Sequence, residues 1–135
     1  MRFPKMDVDY WTLISGEECH AASPATFMIP SFEERRALQQ GDAAKLIFEI
    51  ESEDELGEIS RDRERMWVVV SEVRPLYFVG RLTNMPVGCH RESSFYLTED
   101  VEVPFLPQHV IDIDRPPEAF LDALFSESPK KRWPR

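Results

Sequence analysis

The sequence predicts an α+β domain: a single curled antiparallel β-sheet, or a small partly open barrel, with a short helix before it and an amphipathic helix after it. Three observations predict this. Between residues 43 and 105, short apolar or alternating runs recur at regular spacing with turn residues between them, the mark of an antiparallel sheet or barrel. A helix with its own start and stop signals precedes them, and an octet with an apolar face follows them. The 135 residues are one domain's worth of chain. A chain of this size buries roughly two thirds of its unfolded surface, enough for one core without staples. The domain proper spans residues 31–127, preceded by an irregular segment, 1–30, that packs on it, and followed by a basic tail, 128–135, expected to be disordered as chain ends commonly are.

In residues 1–30, aromatics (Phe3, Tyr10, Trp11, Phe27) are scattered among acids and small residues. A short helix over residues 9–22 would turn Trp11, Leu13 and Ile14 inward, although Gly16 and the AASPA run count against it. The next segment, 31–40, is the clearest helix. Ser31 is a good N-cap, Glu34 completes a capping box three residues on, and Gly41 is the stop. Leu46, Phe48 and Ile50 then alternate with Lys45, Glu49 and Glu51 at the period of two that marks a half-buried strand. Residues 51–65 hold seven acids and three arginines around one glycine, which reads as a solvated loop. Residues 66–70 (MWVVV) are apolar on both faces, as in a central strand with cover on each side.

Arg74-Pro75 turns the chain, and residues 76–82 return as a strand in which Gly80 signals a bulge or sharp bend. Phe95-Tyr96-Leu97 and Val101-Glu102-Val103 read as two short strands across Thr98-Glu99-Asp100. Residues 109–113 form a last strand or a single helical turn. Pro117 suits the first turn of a helix, and Phe120, Leu121, Leu124 and Phe125 share one side of residues 118–125.

Sixteen Lys and Arg stand against twenty-five Asp and Glu, a net charge of −9. The last eight residues, SPKKRWPR, carry four cations and no acid, so the first 127 sum to −13. This balance opposes broad binding to nucleic acid or anionic membrane, since both would be repelled. Trp133 among cations is the chemistry of a single-strand grip, but the acidic body outweighs it. The first ten residues, MRFPKMDVDY, lack the apolar stretch of a secretory signal, and no apolar run approaches the ~20 residues of a membrane span. Cys19 and Cys89 make no disulfide framework. The expectation is a reduced, cytoplasmic protein.

Four groups of residues form a recurring pattern: Gly41-Asp42 with Lys45; Glu64-Arg65-Met66-Trp67-Val68; Gly80, Leu82, Asn84 and Pro86; and His109-Val110-Ile111-Asp112. Together they resemble the bacterial domain of unknown function 2314, the small YegJ-like family, over residues 30–116. The resemblance implies a compact bacterial α+β domain with a curled sheet, and no established activity or cofactor. Members of this kind often carry a glycine-containing turn before the strand that begins here at Val101, whereas this chain has Thr98-Glu99-Asp100. Gly88-Cys89-His90 also departs from the pattern.

Several residues invite chemistry. Cys19-His20 and Cys89-His90 lack the C-x₂₋₄-C and H-x₃₋₅-H spacing of a structural zinc site, and neighbouring residues on a strand point apart. No metal or cofactor is expected. Asp112 and Asp114 share one face of a strand, where they read as solvated acids. The aromatics expected beside any pocket of the curled sheet are Trp67, Tyr77 and Tyr96, with Asn84 shaping a turn. With His109 and Asp112 these make the candidate binding residues. The leading functional expectation is a non-catalytic module docking a basic protein partner. The alternative is a small hydrolase using His109 with Asp112 or Cys89, which requires that His109 lie within hydrogen-bond reach of one of them.

Overall fold

A computed structural model describes residues 1–87 and 95–135. In chain order the elements are α1 (Met6–Asp9), β1 (Trp11–Ile14), α2 (Gly16–Ala22), α3 (Phe32–Arg36), β2 (Ala43–Glu53), β3 (Ile59–Val73), β4 (Phe78–Leu82), β5 (Glu102–Phe105), a 3₁₀ turn (Pro107–His109), β6 (Val110–Asp114) and α4 (Glu118–Phe125). The strands form one antiparallel sheet that curls into an open half-barrel, with α3 before its long hairpin and α4 after it. No helix of the described residues is long and apolar enough to cross a membrane.

The spine is the β2–β3 hairpin, paired from Ala43↔Val69 to Glu53↔Ile59. β4 and β5 continue the sheet beyond β3. On its other edge β2 pairs with β1 over Ile47–Ile50 and with β6 over Ala43–Leu46, with a shift of register at Lys45/Leu46. A second shift, between Val70 and Glu72, accompanies the curl of β3 against β4.

Alternation along the strands separates two faces. Leu46, Phe48, Ile50, Met66, Val68 and Val70 join Trp11, Leu82 and Phe105 in the main core. Ala43 and Val69 point the other way and pack under Leu121 of α4, with Trp67, Leu124 and Phe125 around them. Residues 66–70 therefore do have cover on both sides. α4 is the amphipathic helix expected, although Phe120 faces outward and is 45% exposed.

Five expectations are corrected. The 9–22 helix is replaced by β1 and α2. Tyr10 takes a left-handed φ of 65°, which ends α1 and directs Trp11 and Leu13 onto Ile50 and Phe48 as a strand. The Ser15 hydroxyl then caps α2 by accepting the Glu18 N–H at 3.2 Å. The helix at 31–40 has the capping box but stops at Arg36, with Ala37 as its C-cap.

The acidic stretch 51–65 is largely strand rather than loop, because Glu49 and Glu51 lie directly opposite Arg63 and Arg61 and opposite charges across a ladder support pairing. Only residues 54–58 turn, held by Asp54 Oδ1, which accepts the N–H groups of Leu56 and Glu58 at 2.9 Å. Residues 95–97 form no strand, yet Phe95 and Leu97 are buried in the main core. The left-handed turn that glycine commonly serves is made by Asp100, at φ 69°.

The tail 128–135 is docked, not free. Lys130 N–H donates to Asp100 O (2.9 Å), Glu102 N–H donates to Lys131 O (3.0 Å), and Trp133 is 2% exposed inside the main core. The burial of an indole, which removes a large apolar surface from water, explains why these residues do not fray.

Candidate functional site

The residues expected to line one pocket are dispersed. Trp67 lies half-buried on the α4 side of the sheet, where Asn84 Oδ1 accepts its backbone N–H at 2.7 Å. Tyr77 sits at the β3–β4 turn, edge-on to Phe3 at 6.4 Å. Tyr96 stands on the main-core side, stacked on Trp11 and donating its hydroxyl to Glu102 O at 2.7 Å. Burial pushes its phenol above the ordinary range. Among the described residues the three aromatics do not converge on one another.

His109 is buried at the end of the 3₁₀ turn, where its Nδ1 accepts the Leu106 N–H at 3.0 Å. Burial holds its imidazole down at about 4 against an ordinary 6.5, with the Glu17 charge opposing, so it is neutral at physiological pH. Asp112 is exposed and uses Oδ1 to accept the Ile113 N–H at 2.8 Å. His109 and Asp112 share neither hydrogen bond nor ion pair. The imidazole serves the turn. Cys89 lies outside the described residues. Cys19 is a half-buried free thiol, and His20 donates Nδ1–H to Phe27 O at 2.6 Å.

Two acidic sites were not singled out from the sequence. The first is a cleft of about 330 Å³ where the C-terminal end of α4 meets β4 and the turn at Asp100. Leu82, Phe120 and Leu124 give it an apolar floor, and Glu99, Asp100 and Glu127 supply its charge. Arg81 is its one cation among the described residues, and it is consumed internally. Its guanidinium donates to Asp100 Oδ1 at 2.8 Å and to Leu124 O and Glu127 O at 2.8 and 2.9 Å. Those carbonyls belong to the last turn of α4 and the residues just after it, where unpaired acceptors favour a cation. Glu99 and Glu127 have no ion-pair partner among the described residues. A lone arginine in the apolar strand FVGRL was the legible signal, because a buried guanidinium needs a carboxylate partner.

The second site is filled by the chain itself. The Glu102 side chain, 4% exposed, accepts the Trp133 N–H at 2.9 Å and pairs with Arg135 at 2.8 Å and Arg132 at 3.6 Å. Arg135 also reaches Glu72 at 2.9 Å, which holds the Glu72 carboxyl below its usual range even though burial pushes it up. The Trp133 ring meets Trp11 and Tyr96 edge-on at 5.7 and 5.3 Å, and its Nε1–H donates to Arg2 O at 2.8 Å. The acidic body thus holds a basic, tryptophan-bearing segment of its own chain.

A group of three or more His, Cys, Asp or Glu able to hold a metal ion does not occur among the described residues. A scan against protein-family models and searches of curated proteins and of solved structures found no match.

Proposed function

We propose that this protein is a non-catalytic interaction module that docks a basic segment of a protein partner in the acidic cleft between α4 and β4. The cleft's charge carries the reading: among the described residues Glu99 and Glu127 have no ion pairs at the rim of an apolar floor, while Arg81 is consumed by Asp100 and the carbonyls of Leu124 and Glu127. Such a surface complements a lysine or arginine side chain whose neighbours are apolar, the pairing that gives charged interfaces their specificity and on-rate. Phe120, 45% exposed, supplies the apolar contact. The net charge of −9 adds long-range attraction for the same partner. The resemblance to the YegJ-like family belongs to the same reading and implies no reaction, and the encounter is assigned to the cytoplasm.

A labelled peptide of alternating lysine and leucine, titrated by fluorescence anisotropy, tests it. Raising salt from about 0.1 to about 1 M shortens the Debye length from about 10 to about 3 Å and should weaken binding about tenfold. Affinity indifferent to salt contradicts charge-led docking.

A further inference from the structure

The register of the β2–β3 hairpin leaves two cations unmatched on the outer face. Arg61 and Arg63 meet Glu51 and Glu49 across the ladder, at 3.1 and 4.0 Å. One step further along, Arg65 lies opposite Ile47 and Lys45 opposite Trp67. Neither cation has an ion pair among the described residues. Each rests on an aromatic ring instead, Arg65 over Phe27 at 5.2 Å and Lys45 over Trp67 at 5.7 Å. On the other side of β2, Asp112 is the register partner of Lys45; it is exposed and has no ion pair among the described residues. Phe27 and Met28 cross over this spot, held by the bond from His20 to the Phe27 carbonyl. Lys45, Arg65, Asp112, Phe27, Met28 and Ile111 line a cavity of about 190 Å³, the scale of one small molecule.

We propose that this pocket binds a zwitterion, an α-amino acid with an apolar side chain. The guanidinium of Arg65 presents a planar fork suited to a carboxylate, and the Lys45 ammonium adds a second donor. Asp112 is the complement of the α-ammonium. Phe27, Met28 and Ile111 offer apolar contact to the side chain. A plain anion such as phosphate meets the same two cations but is opposed by Asp112, which is why the three charges together select a zwitterion. Arg65 and Asp112 are exposed and Lys45 is half-buried, a setting in which single ion pairs are weak, so the affinity belongs in the millimolar range.

The test is an NMR titration of the whole chain with L-leucine, following the Trp67 indole N–H assigned through a Trp67→Phe variant. The expected result is a saturable shift, weakened about tenfold in the Lys45→Met/Arg65→Met double variant. Asp112→Asn, which changes charge but not shape, should weaken leucine at least threefold while tightening binding of 4-methylpentanoate, whose carboxylate the Asp112 charge opposes. Absence of a saturable shift overturns the proposal. So does 4-methylpentanoate or inorganic phosphate binding as tightly as leucine. The pocket shares no lining residue with the acidic cleft. Leucine binding should therefore survive Glu99→Gln/Glu127→Gln, and either site can fail without the other.

Discussion

Gly80 lies opposite Val70, at the edge of the register shift between Val70 and Glu72. A Cβ at this position would lie 2.7 Å from Val68 Cγ2 and 2.9 Å from Val68 Cβ, distances that no side-chain rotation of Val68 relieves in full. Gly80→Ala should therefore destabilise the fold by about 1–3 kcal/mol through overpacking, read from urea denaturation midpoints at unchanged slope. His109 makes a prediction of a different kind. Its folded-state value of about 4 lies below the ordinary 6.5 that it regains on unfolding. Between those values the unfolded chain binds the proton and the folded chain does not. Stability from this group is thus complete above pH 6.5 and is lost as pH falls toward 4, by up to about 3 kcal/mol. Comparing the pH dependence of urea unfolding for the protein and for His109→Gln isolates that share, and the variant's profile should be flatter in this window.

Among the elements, the docked tail carries the largest energetic consequence. Trp133 completes a main core whose other walls, Trp11, Phe48 and Tyr96, come from distant parts of the chain. Trp133→Ala should cost about 3–5 kcal/mol, seen as a fall in Tm of many degrees. An unchanged Tm would mean that the tail does not dock. These contacts explain what could be read from the sequence and what could not. The Ser31–Glu34 capping box, the two-faced strand at residues 66–70 and the α4 stripe are local patterns, and each was legible. The slot for Trp133 is assembled from side chains more than thirty residues apart, so a run of cations around one tryptophan reads as a free tail. The outer half of the β2–β3 ribbon was hidden because charges replace the apolar alternation on which strand recognition rests. The candidate site was legible only in fragments. Trp67 and Asn84 do meet, but through Trp67's backbone, and the cation resting on the Trp67 ring, Lys45, was not among the candidates.

At the scale of the molecule, charge is sorted rather than merely abundant. The four cations of residues 128–135 fold back on the body, where Arg132 and Arg135 meet Glu102 and Glu72. The acidity left over includes Glu99 and Glu127, at the rim of a cleft whose one cation among the described residues is internally satisfied. If that arrangement is the docking site, location should matter more than net charge. The most direct measurement compares the affinity of the lysine–leucine peptide for two double variants of equal charge, Glu99→Gln/Glu127→Gln in the cleft and Glu55→Gln/Glu58→Gln near the tip of the ribbon. The cleft variant should bind about fivefold more weakly, while the ribbon variant stays within about twofold of the parent protein. Equal losses in both would mean that the peptide senses only overall charge, and the cleft would then be no docking site.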